Sequence, residues 1–171
     1  MKDHNWHKGG YKELKVEDIL GQSSNIGVSK IIDEAYGGNP SAYVDGLHRI
    51  GVGIPLNLPF VGRGEPYVPH PKNKERYWSK PDLPWMSIGY ETQIAPINTV
   101  TFYNAIANNG KMMQPRFVKQ LMKDGEVVKE FEPVVLKERI AKPQTIKTMQ
   151  TILEHVVSQG LGRKAGSKSF K

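Results

Sequence analysis

Gln22-Ser23-Ser24-Asn25-Ile26-Gly27-Val28-Ser29-Lys30 is the stretch on which the reading of this chain turns. It lies where one helical pattern stops and another starts. Upstream, Val16, Ile19 and Leu20 recur at i, i+3 and i+4 before Gly21 breaks the run. Downstream, Val28, Ile31, Ile32 and Ala35 form an i, i+3, i+4, i+7 stripe, expected to face a core until Gly37-Gly38 ends the helix. Ser23 to Asn25 is therefore expected on the connection between two packed helices. Ser and Asn oxygens accept hydrogen bonds from the free N–H groups of a helix start, so the tripeptide reads as an N-cap or as part of a catalytic site.

Working outward, Asn39-Pro40 predicts a helix start, because Asn caps and Pro is pre-set for the first helical position. That helix carries Tyr43, Leu47 and Ile50 on one side, and Gly51 and Gly53 stop it. From Ile54 to Met86 the chain holds seven of its twelve prolines without periodicity. This predicts a long irregular surface segment within the domain, packed down by Tyr67, Tyr77, Trp78 and Trp85. Pro96 opens a further helix through Asn108, with Val100, Tyr103 and Ala107 on one face, Phe102 and Ile106 beside it, and Asn109-Gly110 at its end. Arg116 to Met122 and Glu126 to Phe131 flank Lys123-Asp124-Gly125, whose Asp-Gly pair suits a tight hairpin turn. Ile146, Met149, Leu153, Val156 and Val157 place a last helix from about Pro143 to Gly160.

The 171 residues, 38% of them hydrophobic, suffice for one globular domain over residues 1–171. No run approaches the roughly 20 apolar residues of a membrane span, and the N-terminus lacks a signal-peptide stretch, so the chain as it stands is expected to be soluble. Without cysteine there are neither disulfides nor thiolate metal sites, and compartment stays open. The net charge of +7 is scattered, which favours a solvated basic surface over a nucleic-acid site. Only Arg163, Lys164, Lys168 and Lys171 are concentrated, and a chain ending there reads as cut. His4 and His7 lack a third ligand, so no metal is expected. Tyr77, Trp78 and Trp85 beside Lys74, Arg76 and Lys80 read as anchors to a core rather than a base-stacking surface.

Ser-x-Asn is also the second of three motifs in active-site serine enzymes that handle penicillins. The other two, Ser-x-x-Lys and Lys-Thr-Gly, do not occur here. The run Gln22 to Lys30 resembles the Ser-x-Asn region of the monofunctional penicillin-binding proteins, especially the transpeptidases of bacterial cell division. Ser87-Ile88-Gly89-Tyr90, the Pro96 helix, Asn109-Gly110, Pro115-Arg116 and the Asp124-Gly125 hairpin follow in the family's order and at similar spacing. The resemblance runs from about Trp6 to the end.

It implies a mainly α chain with a small β-hairpin: the helical part of the α+β penicillin-binding protein and serine β-lactamase-like fold, its central sheet largely missing. It also implies a reaction, in which a serine attacks the D-Ala-D-Ala carbonyl of a peptidoglycan stem peptide and a second strand's amine resolves the acyl-enzyme. Penicillins and other β-lactams stall it at the acyl stage. Ser23 then relays a proton to the departing amine and Asn25 orients the substrate, near a helix N-terminus that favours a substrate carboxylate or oxyanion. Ser24 is expected to point elsewhere. Gly89 and Tyr90 correspond to a loop near the cleft, with weak substrate-binding roles; the plain reading is that Gly89 permits a turn and Tyr90 fills a core. The family often has Gly where Glu91 stands, and Thr or Ser where Ala95 leaves the next helix uncapped.

Division proteins are implied partners, with no cofactor and no nucleic acid. The parent protein is expected to be anchored to the cytoplasmic membrane with its catalytic part outside, in the periplasm. This stretch alone lacks the nucleophile and is expected to be inactive, with apolar surfaces that favour self-association. A β-lactamase or β-lactam sensor on the same scaffold, and a non-catalytic module binding murein or a division partner, are the other readings.

Overall fold

A computed structural model describes residues 1–59, 64–167 and 169, so the expected basic end at Lys168 and Lys171 lies outside the described residues. In chain order the elements are α1 (Val16–Gly21), α2 (Asn25–Tyr36), α3 (Pro40–Arg49), α4 (Asp82–Met86), α5 (Pro96–Ala107), β1 (Met112–Met113), β2 (Gln120–Lys123), β3 (Glu126–Glu130), β4 (Val135–Lys137) and α6 (Pro143–Ser158). The chain divides into two compact units, one of residues 1–46, 68–92 and 147–171, the other of residues 47–67 and 93–146. The proline-rich segment expected to run within one domain thus passes from one unit to the other.

In the first unit, α1 and α2 approach so closely that a Cβ on Gly27 would lie 2.9 Å from the Ile19 side chain. Ile19 is buried there, over the start of α2. The end of α1 meets the end of α6 through bare backbone: a Cβ on Gly160 would lie 2.4 Å from the Gly21 carbonyl oxygen. His155 Nε2 adds a contact to Asp18 Oδ1 at 3.1 Å beside that crossing. On its other side α2 packs against α4, where Leu83 and Met86 are buried.

The helix α4 is a helix that sequence periodicity conceals. Pro84 reads as a breaker, yet it occupies the first turn, where a missing N–H leaves no intrahelical bond unmade. Asp82 anchors that turn by accepting from Ser79 Oγ and from the Ser79 N–H. The expected core stripe of α2 is corrected by the structure: Ser29 is its one buried residue among those described, and Ile31 is 39% exposed. Tyr77, expected to anchor the segment, stands 87% exposed.

In the second unit α5 packs against β1, which pairs antiparallel with β4. The structure settles which side of α5 is buried. Asn98, Thr101, Ala105 and Ile106 are buried, whereas Val100 and Tyr103 are half exposed. Two polar residues win the inward side because each has a partner: Asn98 Nδ2 donates to the Ile54 carbonyl, and Thr101 Oγ1 to the Ile97 carbonyl. The hairpin β2–β3 forms as expected around Asp124 and Gly125, both at positive φ. Its strands leave Leu121, Met122, Val127 and Val128 exposed.

The Gly21–Gly160 crossing yields a stability prediction. Gly160→Ala drives a methyl into backbone that has no rotamer to yield, so it should destabilise by about 1–3 kcal/mol. Gly38→Ala, with nothing within 4 Å of its Cβ position, should stay within about 0.5 kcal/mol of the parent. Thermal unfolding of the two variants separates them, and equal melting temperatures would refute the close approach.

Candidate functional site

The connection between α1 and α2 is two helix caps placed back to back. The Ser23 N–H donates to the Leu20 carbonyl at 3.0 Å and the Ser24 N–H to the Ile19 carbonyl at 2.9 Å. These are the paired bonds of a Schellman ending, and they put Ser23 at the left-handed position, with φ of 50°. Glycine is the usual residue there. A residue with a Cβ costs on the order of 1 kcal/mol more.

Ser24 closes the second cap. Its backbone is extended and its Oγ accepts from the Gly27 N–H at 3.0 Å. It is 2% exposed and donates its own proton to Asp3 Oδ2 at 2.8 Å. The other carboxylate oxygen of Asp3 accepts from the Ile26 N–H at 3.1 Å. The expectation that Ser24 points elsewhere is thereby given its destination: it points inward, and it is the capping residue.

The expected oxyanion or carboxylate site at the start of α2 needs a correction of its own. An internal anion already sits there. Asp3 is 3% exposed and lies against the positive end of the helix, where a carboxylate is favoured by about 0.3–1 kcal/mol or more. It takes the Ile26 N–H, and Ser24 takes that of Gly27.

Ser23 and Asn25 are left facing outward by this arrangement. Ser23 is exposed, and its hydroxyl makes no hydrogen bond among the described residues. Asn25, the first residue of α2, is half-buried; its Nδ2 donates to the Lys2 carbonyl at 3.5 Å, a weak bond that a better acceptor would displace. Beneath them, Ser29 Oγ donates to the Asn25 carbonyl at 2.6 Å and lies 3.4 Å from the Pro84 carbonyl of α4. Tyr11 borders the node and donates to Gln22 Oε1 at 3.2 Å. Desolvation, then the Asp3 carboxylate, push the Tyr11 hydroxyl above its ordinary pKa.

The second sequence-predicted loop repeats the geometry. The Gly89 N–H donates to the Met86 carbonyl and the Tyr90 N–H to the Trp85 carbonyl, with Gly89 at φ of 93°. Gly89 thus fills in the second loop the place that Ser23 fills in the first. Tyr90 is 59% exposed, its ring edge-on to Trp85 at 5.0 Å, so it fills no core. Glu91, standing where the resemblance has glycine, adopts φ of 64° nonetheless, and its carboxylate pairs with the Arg76 guanidinium. Ala95 precedes α5 with no side-chain cap, as its methyl dictates. Among the described residues no group of three or more metal-ligating side chains assembles around His4 and His7.

Asp3 is the site residue that sequence reading missed. It lies 21 residues from Ser24, and no local pattern announces it; the sole signal is an acidic residue preceding a serine-capped helix.

The profile of the penicillin binding protein transpeptidase domain matches residues 1–170. The peptidoglycan D,D-transpeptidase FtsI of Escherichia coli K12 is 30% identical over 162 residues, which are 94% of this chain and 24% of that protein. The chain thus spans about a quarter of the length of the curated relatives it matches. Penicillin-binding protein 3 of Mycobacterium tuberculosis, solved with aztreonam, superposes with a TM-score of 0.73 at 27% identity, over 90% of this chain and 34% of that one. The D,D-transpeptidase domain from Eggerthella lenta shares the fold, with a TM-score of 0.78 at 22% identity over 96% of this chain and 42% of that one.

The two caps predict opposite responses from adjacent serines. Ser23→Gly relieves the left-handed backbone and should stabilise by up to about 1 kcal/mol. Ser24→Ala removes a cap and orphans a buried carboxylate oxygen, and should destabilise by about 1–3 kcal/mol. Denaturant midpoints at constant slope measure both, and a stabilised Ser24→Ala would overturn the capping assignment.

Proposed function

This chain belongs to the penicillin-binding protein transpeptidase family, and we propose that it supplies the Ser-x-Asn wall of a serine acyl-transfer site that cross-links peptidoglycan. One observation carries the reading. Capping, the plain explanation for Ser-Ser-Asn, falls to Ser24 alone, while Ser23 holds an outward left-handed position at which the fold has no need of a serine.

The reaction assigns each side chain a task. A serine from outside residues 1–171 attacks the carbonyl of a terminal D-Ala-D-Ala, forming an ester as the C–N bond breaks. Ser23 passes a proton to the departing nitrogen, so that D-alanine leaves as a neutral amine. Asn25 holds the acyl chain through its amide. An amine from a second stem peptide then attacks the ester, forming the cross-link and returning the proton to the serine. β-Lactams enter by the same first step and keep their leaving group tethered, which stalls the second. Gly89 and Tyr90 border the substrate path from the companion loop.

The parent protein works outside the cytoplasmic membrane, to which it is anchored, among division proteins. Among the described residues no helix is long and apolar enough to cross a membrane. The 171-residue chain by itself neither cross-links nor takes up label, and its exposed apolar side chains on α5 and the hairpin favour self-association.

In the full-length protein, a fluorescent penicillin should label covalently and be displaced by unlabelled drug. Ser23→Ala should slow that acylation by about 10²–10⁴-fold, the range for loss of a positioned proton donor. The isolated chain should give no labelled band on a denaturing gel. Acylation of Ser23→Ala at the parent rate would end the assignment.

A further inference from the structure

We propose that Asp3 is a positioning residue for the Ser-x-Asn loop, acting through Ser24 to set the proton-relay geometry of Ser23; the inference rests on the acyl-transfer reading above. Three features of the structure lead to it. Asp3 is buried at 3% exposure, Ser24 at 2%, and Ser23 between two caps is exposed. Asp3 Oδ2 takes the Ser24 proton at 2.8 Å, and Oδ1 takes the Ile26 N–H at 3.1 Å. The carboxylate thus bridges the residue after Ser23 and the residue after Asn25, clamping both outward-facing side chains from behind.

The polarity of the clamp matters as much as its presence. Ser24 Oγ accepts from the Gly27 N–H, so its single proton is free to point at Asp3. A carboxylate accepts on both sides at once, from a hydroxyl and from an amide N–H. An asparagine at the same place has one acceptor and one donor: with its oxygen on the Ile26 N–H, its amide N–H must donate to Ser24 Oγ, which reverses that bond and turns the Ser24 proton away from position 3. Among the described residues, the paired backbone bonds to Leu20 and Ile19 are what hold Ser23 in its left-handed conformation, and the second of these runs through Ser24. Loosening Ser24 therefore releases the backbone of Ser23 toward ordinary φ and swings its hydroxyl away from the departing nitrogen.

The consequence is specific to the leaving group. Breaking a C–N bond needs a proton delivered to nitrogen, whereas a thioester expels a thiolate that needs none. The experiment compares, on one preparation of the full-length protein, acylation by a β-lactam and by a thioester analogue of the D-Ala-D-Ala peptide. Their ratio is independent of the folded fraction. Asp3→Asn should slow the β-lactam reaction about 10- to 100-fold, the scale of a misplaced catalytic group, and leave the thioester reaction within about twofold.

Ser24→Ala should shift the ratio in the same direction, and the double variant should add little to either single change. If Asp3→Asn fails to fold, Ser24→Ala carries the test by itself. Equal slowing of both substrates, or of neither, would reduce Asp3 to a structural carboxylate and overturn the inference. Ser23→Ala serves as the reference: if it shows the leaving-group discrimination and Asp3→Asn does not, the inference about Asp3 fails alone. If Ser23→Ala shows none, the acyl-transfer reading fails with it.

Discussion

One side chain closes two helices here. Ser24 ends α1 through its backbone N–H and begins α2 through its hydroxyl, so a single buried residue fixes the angle between them. Asp3 completes the arrangement by accepting the one proton that capping leaves over. Ile19 over Gly27 fills the space beneath, and no side chain at position 27 would fit without moving it. The orientation of Ser23 and Asn25 follows from this node. Both are displayed because the residue between them is occupied.

The polar groups of the molecule are arranged on the same principle. Asn98 and Thr101 are buried with partners on their own unit, while apolar Val100 and Tyr103 on the same helix stay open to solvent. A helix that turns satisfied polar groups inward and apolar ones outward has an inward side that demands specific geometry and an outward side still available for burial. The hairpin repeats this, with a well-formed turn and strands whose side chains touch little.

What was legible in the sequence was the local chemistry of chain ends and turns. Asn39-Pro40, Pro96, Asp124-Gly125 and Pro143 each mark a boundary through a physical preference that acts within a few residues, and each boundary is found. Which face a helix buries was not legible for α2 or α5, because the decision belongs to neighbours distant along the chain and to hydrogen bonds that periodicity does not register. The helix α4 was hidden by a proline in the one place where proline does no harm. At the candidate site, the connection between α1 and α2 that carries Ser23 and Asn25 was legible by type and spacing. The left-handed turn was not, since serine stands where glycine would have announced it, and Asp3 was too far along the chain to be linked to Ser24 by pattern.

Serine at the end of α1 has a bearing on how this molecule ages under mutation. Folding by itself gains from losing that side chain, so the hydroxyl has no structural guardian. Glycine or asparagine, the residues that adopt a left-handed conformation most readily, would keep both caps at that position. Such a replacement would register as a small gain in stability and in the identity of a single exposed residue.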